Sequence, residues 1–452
     1  MAPEFNHPGM DAAWDYGLFD AILNRKSRRF AFGAEIPGGP TKYKSEKPPM
    51  PLDEAEEAML VQLGTGLTGM NLSPGDLPWL DERDRSTSGN TMLQFQSRTY
   101  ASPCGCHGTE LFYWNDEGTY IVKMKDCLAG SVNEFETADD RKKALDFFHM
   151  NRVKIADGRV DIPRQYPFFL TFNLWDSNIA GSTMFQPVLN ATWQTINSLL
   201  LVCGWADGGA VIMDDFKGGD TIAGCERWIG EGLLNPGYRI GFMGLGAGAS
   251  EVEPGFVAQN LQLGLQAMGL GGWVHASAAP PAVMGAYAAG GIKGLGFRYE
   301  SDNAGRSFPV GIDGIFEGYC PPYFKNMDAA VDAVVETKFG KDGLYSKDSG
   351  TPLPVLDKNE FIAAVPRYSD KLVQCVKDIC NYIYDTYGRF PMPNDPMIAP
   401  GYWVQAHHLD LDFYDRFMKA GAYSDTHANH MRLWHSDVPA EVAEKELAST
   451  AV

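Results

Sequence analysis

The sequence predicts a globular protein that mixes helices with paired strands, and three stretches carry that prediction. Residues 253–273 (EPGFVAQNLQLGLQAMGLGGW) repeat apolar side chains at helical spacing, with Val257, Leu261, Leu265 and Met268 on one stripe and Phe256, Leu263 and Ala267 beside it. Residues 110–114 and 119–124 are strand-like runs joined by the turn formers of 115–118, which reads as a hairpin. Residues 327–338 and 368–387 return to helical periodicity, the second with Leu372, Val376, Ile379 and Ile383 aligned.

The helix predicted over 253–273 tolerates Pro254 in its first turn and ends at Gly269, where a left-handed cap is favoured. Being apolar nearly all round, it is expected to be buried, so Gln259, Asn260, Gln262 and Gln266 need partners in another element, another subunit or a ligand. No acidic residue occurs between positions 254 and 299, although the chain has 57 of them. Such a gap suits a core or the surroundings of an anion.

At 452 residues, 44% hydrophobic and 21% charged, the chain is long enough for a full core and ordinary in composition for a soluble protein. A net charge of -19 argues against a nucleic-acid partner or an anionic membrane surface. The first residues show no basic segment followed by an apolar run, and no stretch of about 20 apolar residues could span a bilayer. A cytoplasmic location is expected. The eight cysteines lack the spacing of a disulfide scaffold and read as buried thiols.

Taken in order, residues 11–24 read as an amphipathic helix with Trp14, Leu18 and Ile22 in register, followed by Arg25, Lys26, Arg28 and Arg29 around Ser27. Those cations either complement the helix dipole or converge as a phosphate clamp. A helix is expected over 53–67, with Ala55, Met59, Leu60 and Leu63 as its apolar face, and then an irregular loop to about residue 89. Residues 168–172 (FFLTF) read as a buried strand, 173–187 as a loop that either borders a ligand site or merely connects, and 190–203 as a largely buried helix. Gly244, Gly246 and Ala249 follow a strand-like run and satisfy a permissive dinucleotide fingerprint. Pro254 and the missing acid about twenty positions on argue against a Rossmann site.

Two places invite a metal. Cys104, Cys106 and His107 crowd one tight loop with no second ligand pair, which argues against a site there. The tail holds five of the nine histidines: His407, His408, His427, His430 and His435. His427 and His430 lie one helical turn apart and would share an ion with Asp410, Asp412 or His435. The other reading makes them packing residues among Trp403, Tyr414, Phe417 and Trp434, and on balance no metal ligand is assigned.

Three segments together resemble the nitroreductase-like FMN-dependent oxidoreductase superfamily. Arg25, Ser27 and Arg29 resemble its Arg-x-Ser-x-Arg segment after the first helix. Residues 98–111 resemble the loop that enters a sheet strand, nearest the azoline-forming peptide dehydrogenase branch, although Ala101 and Pro103 flank Ser102 differently and Gly105 replaces an Asn. Gly255, Gln259, Asn260, Leu261, Gly269, Leu270 and Gly271 resemble the central helix and its Gly-Leu-Gly turn.

The resemblance implies an α+β fold with a central, mostly antiparallel sheet flanked by helices. It implies a flavin domain over 11–325, interrupted by an insertion at about 125–237, and a helical C-terminal extension over 326–452. It further implies a homodimer whose central helices meet and whose FMN sites lie at the subunit interface, so that Leu265→Asp would cost dimerisation and flavin together. Arg25, Ser27 and Arg29 would hold the phosphate; Ser102, Cys104, Gly105 and Cys106 would line the ring; Gly269, Leu270 and Gly271 would admit close backbone approach; Arg298, with Lys293 behind it, would add a phosphate cation. The expected activity is hydride transfer through flavin N5 between NAD(P)H and a small-molecule or peptide substrate, which requires no catalytic acid or base from the protein, and none is assigned. The alternatives are a flavin-fold binding or sequestering protein without catalysis, and a metal-dependent enzyme using the C-terminal histidines.

Overall fold

A computed structural model describes residues 8–70, 96–103, 105–123, 142–205, 208–218, 220–245, 251–343, 345–348, 356–364 and 367–435. Its centre is a seven-stranded sheet. Six strands follow one another across it in the order Gly271–His275, Trp403–His407, Thr183–Asn190, Thr109–Trp114, Gly118–Val122 and Arg152–Asp157, every neighbouring pair antiparallel. The short strand Met397–Ile398 also pairs with Thr183–Asn190. The fold is therefore mixed α and β, with a mostly antiparallel central sheet flanked by helices. Every residue of Thr109–Trp114, Thr183–Asn190 and Trp403–His407 is buried, because both faces of the sheet are covered.

The long helix predicted from the sequence runs over Glu253–Met268 and ends at Gly269 in the left-handed region (φ 78°). It packs across the sheet and against Glu54–Thr65. That crossing is close because each helix offers a glycine to the other: a Cβ on Gly264 would stand 2.7 Å from Leu63, and one on Gly64 would stand 3.1 Å from Leu261. Val257, Leu261, Leu265 and Met268 all point into this core with Tyr113, Phe185 and Val404. The opposite face is not buried. Phe256 is 40% exposed, and Gln259, Asn260, Leu263 and Ala267 lie along the same open side.

A second core forms where Ala191–Cys203, Met327–Phe339 and Asp370–Tyr387 pack around a parallel strand pair, Gly209–Met213 with Leu234–Gly241. A separate three-stranded sheet is built from Arg298–Ser301, Ser307–Ile312 and Phe316–Glu317. The six described cysteines are buried and form no disulfide with one another, as their spacing implied. Among the described residues no helix is long and apolar enough to cross a membrane.

Several expectations need correcting. Residues 11–24 are not one helix but two, Pro8–Trp14 and Leu18–Asn24, broken at Gly17, which is extended. Residues 168–172 are no strand: the backbone turns over Gln165, only Phe169 is fully buried, and its one strand-like contact is a single bridge to Ala278. The expected loop at 173–187 instead runs into a central strand. Two strands of the central sheet, Arg152–Asp157 and Thr183–Asn190, come from the stretch expected as an insertion, and Trp403–His407 brings part of the expected helical extension into the middle of the sheet. Gly246 and Ala249 of the near-fingerprint lie outside the described residues.

Candidate functional site

The segment after Leu18–Asn24 reaches the C-terminal end of the central helix. The Arg28 N–H donates to the Gly272 carbonyl (3.2 Å) and the Gly272 N–H returns a bond to the Arg28 carbonyl (2.8 Å). Two of the three stretches that carry the flavin resemblance are thus neighbours. Arg28 turns inward, its Nε donating to the Ala422 carbonyl (2.8 Å) and Nη1 to Gln266 Oε1 (2.9 Å). Burial lowers its pKa. Arg29 turns outward and lies over Trp273, 3.8 Å from the ring centroid, while its fork donates to Asp176 Oδ2 (2.6 Å) and Asn173 Oδ1 (2.7 Å). Ser27 is exposed and Arg25 half-exposed on the same segment.

Around Arg29 several buried polar atoms have no hydrogen-bond partner among the described residues: Asp176 Oδ1, Ser177 Oγ, Trp273 Nε1 and His275 Nε2. The His275 ring stacks on Trp273 with centroids 3.9 Å apart, its Nδ1 is 2.6 Å from Ser277 Oγ, and burial pushes its pKa well down, so it stands neutral. Buried polar groups without partners are uncommon in folded chains and mark a place suited to an additional polar ligand.

The glycine turn serves the protein's own packing. A Cβ on Gly269 would lie 2.3 Å from the Thr426 carbonyl oxygen, and one on Gly271 would lie 2.6 Å from His407 Nε2. Leu270 is buried. Their lack of side chains admits the C-terminal segment against the end of the central helix.

Ser102, Gly105 and Cys106 lie at the other end of that helix. Ser102 Oγ accepts the Cys106 N–H (3.1 Å), Gly105 adopts φ 62°, and Cys106 is buried in the second core. Here Glu253 is buried at the helix N-terminus and accepts from the Thr109 hydroxyl (2.9 Å). Burial raises its pKa, and hydrogen bonds from Ser102 and Thr109 oppose the rise. Cys104 lies outside the described residues. Sixteen residues of helix separate this loop from Gly269, a length of about 24 Å. Arg298 stands elsewhere, on the three-stranded sheet, paired with Glu300 (2.8 Å) and facing Asp313. The structure therefore joins Arg25, Ser27 and Arg29 to Gly269, Leu270 and Gly271, and leaves Ser102, Gly105, Cys106 and Arg298 apart from them.

A different set of side chains converges more tightly. Glu56 sits in the first turn of Glu54–Thr65, His408 directly follows Trp403–His407, and His430 and His435 bracket the last described helix, His430–Trp434. Glu56 Oε1 is 3.1 Å from His408 Nε2, 2.8 Å from His430 Nε2 and 3.1 Å from His435 Nε2, and the His408 and His435 Nε2 atoms are 3.1 Å apart. Glu56, His408 and His430 are buried, and His435 nearly so. Burial alone would raise the Glu56 pKa, but the adjacent His408 charge and the three histidine contacts hold it well below the usual carboxylate range. His408 is correspondingly raised by Glu56 against its burial, whereas burial lowers His430.

Sequence reasoning singled out three of these four residues among the tail histidines and missed Glu56. His427 is not part of the cluster: its Nδ1 is 2.8 Å from Ser424 Oγ. Asp410 points to Ser45 (2.5 Å) and caps the helix Leu411–Phe417. No family model and no curated protein sequence matches the chain.

Proposed function

We propose that the chain is an FMN-dependent oxidoreductase of the nitroreductase-like kind. The supporting observation is the Arg28–Gly272 pairing, which sets the exposed Ser27 and half-exposed Arg25 and Arg29 beside the turn that closes the central helix. Arg25, Ser27 and Arg29 suit a phosphate, and the unpartnered atoms of Trp273, His275 and Ser177 next to Arg29 suit a polar cofactor. Arg298 does not fit such a site. When bound, FMN supplies hydride acceptance and donation at N5; the protein's own residues bind, orient and exclude water.

Ser102, Gly105 and Cys106 join the same flavin only from a second copy, since about 24 Å of helix separates the two groups in one chain. The open face of the central helix supports that arrangement. It continues into Leu18, Phe19, Ile22 and Leu23, which are 64%, 79%, 48% and 78% exposed, a run of apolar surface suited to burial between copies.

The test is the absorption spectrum of the purified chain, followed by titration with FMN. A flavin spectrum, or uptake of added FMN near one equivalent with reduction by NAD(P)H, is expected. A colourless protein that takes up no FMN would refute the proposal.

A further inference from the structure

We propose that Glu56, His408, His430 and His435 form a closed, four-coordinate site for a zinc-type divalent transition-metal ion. Backbone carbonyls fix where two of the ring hydrogens sit. His408 Nδ1 is 3.0 Å from the Met50 carbonyl oxygen and His430 Nδ1 is 2.8 Å from that of Met268. A carbonyl oxygen only accepts, so both Nδ1 atoms carry the proton, and in the neutral rings both Nε2 atoms present lone pairs. Those lone pairs face Glu56 Oε1, which as a carboxylate oxygen also only accepts. The other oxygen of Glu56 is already committed, accepting the Asp53 N–H at 2.7 Å.

Without a cation the centre is poorly satisfied. His435 Nε2–H could donate to Glu56 Oε1 and His408 Nε2, each 3.1 Å away. That leaves His430 Nε2 only 2.8 Å from Glu56 Oε1 and without a hydrogen-bond partner. One divalent ion answers all four donors at once.

The donor atoms stand a few tenths of an ångström closer together than a bound ion would set them. Metal–ligand bonds of about 2.0–2.1 Å in a tetrahedron set donor–donor edges of roughly 3.3–3.4 Å. The four edges given above run from 2.8 to 3.1 Å, and all four donor atoms lie within 4.8 Å of one another. Three imidazoles and one carboxylate suit zinc and its first-row neighbours; magnesium and calcium require more oxygens. The backbone carbonyls on both Nδ1 atoms are the outer-shell partners that orient ligating histidines. Four protein ligands in a buried position leave no open coordination site, so the ion would be structural. It would fasten three distant parts of the chain: the start of Glu54–Thr65, the end of a central strand, and the last described helix.

The test uses the full chain purified without a polyhistidine tag and without chelator, and its readout is metal content, which is independent of the flavin reading. Elemental analysis should find about one zinc per chain. Chelator-stripped protein should rebind zinc with a rise in thermal midpoint, and cobalt(II) should give the visible spectrum of a tetrahedral ion. His435→Gln, at the least buried ligand, should weaken zinc binding by more than the roughly 10- to 100-fold that loss of an outer-shell partner costs. Glu56→Gln should do the same, and His427→Gln should retain the metal. A folded chain that contains no zinc and whose midpoint is indifferent to added zinc would overturn the proposal, as would His435→Gln binding zinc as tightly as the parent.

Discussion

Lys338 offers a quantitative test of the second core. It is buried in Met327–Phe339 with Nζ donating to the Tyr368 hydroxyl at 3.0 Å, and burial pushes its pKa down from 10.5 to about 7. The unfolded chain therefore holds a proton on this lysine through a window, from about pH 7 to 10.5, in which the folded chain has released it. Stability rises with pH across that window and is lowest below it. At 1.36 kcal/mol per pK unit, the lysine's own contribution changes by about 4 kcal/mol between pH 6 and pH 10. Lys338→Met keeps the volume and removes the titration. With an unfolding entropy of about 2.1 cal/mol/K per residue, the 452-residue chain has roughly 0.95 kcal/mol/K, so 4 kcal/mol corresponds to about 4 °C. Calorimetry of both proteins at the two pH values should show the variant's advantage at pH 6 shrinking by about that amount at pH 10. Because all other groups titrate in both proteins, an advantage that does not change with pH would refute the buried, neutral lysine.

Three further outcomes follow from the central helix and its ends. Gly269→Ala places a Cβ in the left-handed region and against Thr426, so it should lose at least the roughly 1–2 kcal/mol of the backbone term, read as a lower thermal midpoint; a parental midpoint contradicts the packing. Arg29→Lys keeps a charge beside Asp176 but loses the fork that also reaches Asn173. FMN retention measured by fluorescence titration should then fall roughly tenfold, the worth of one charge-assisted hydrogen bond, and unchanged affinity argues against Arg29 as a phosphate ligand. Phe19→Asp with Leu23→Asp alters two side chains that are 79% and 78% exposed, so the fold should survive. Sedimentation should report a dimer for the parent and a monomer for the variant; equal mass for the two excludes this face as the contact.

Legibility in the sequence followed periodicity. The central helix, its glycine cap, the hairpin and the helix Asp370–Tyr387 were readable because their side chains repeat at one spacing over several turns or one strand pair. The strand Thr183–Asn190 was not, since Pro187 in its middle normally argues against a central strand. Here Pro187 stands opposite Leu111, and Gln186 secures the neighbourhood by donating to the Tyr402 carbonyl (3.2 Å). The periodicity of the nearly all-round apolar helix does not tell its core face from its open one: Leu265, expected at the subunit contact, faces the core, so Leu265→Asp would act on folding, and the open face instead holds Phe256, Asn260 and Leu263. At the buried cluster the histidines were visible as an unusual concentration, but Glu56 carried no signal pointing to them. Its spacing from Asp53 reads as a capping box, which it is, with one oxygen; only the tertiary fold reveals the use of the other.

The C-terminal segment makes these features depend on one another. It supplies His408, His430 and His435 to Glu56, the Ala422 carbonyl to Arg28, and Thr426 to the surface of Gly269. Gln266, at the end of the central helix, is shared in the same way, receiving from Arg28 and donating to Ser424 Oγ (3.2 Å). The same segment that closes the Glu56 centre thus also contacts the partners that hold Arg28 inward, next to the backbone pairing with Gly272 that sets Arg25, Ser27 and Arg29 beside the helix end. An ion held as proposed would join Glu56 to His408, 352 residues further along the chain, and so would help the tail fix the geometry of the N-terminal basic segment.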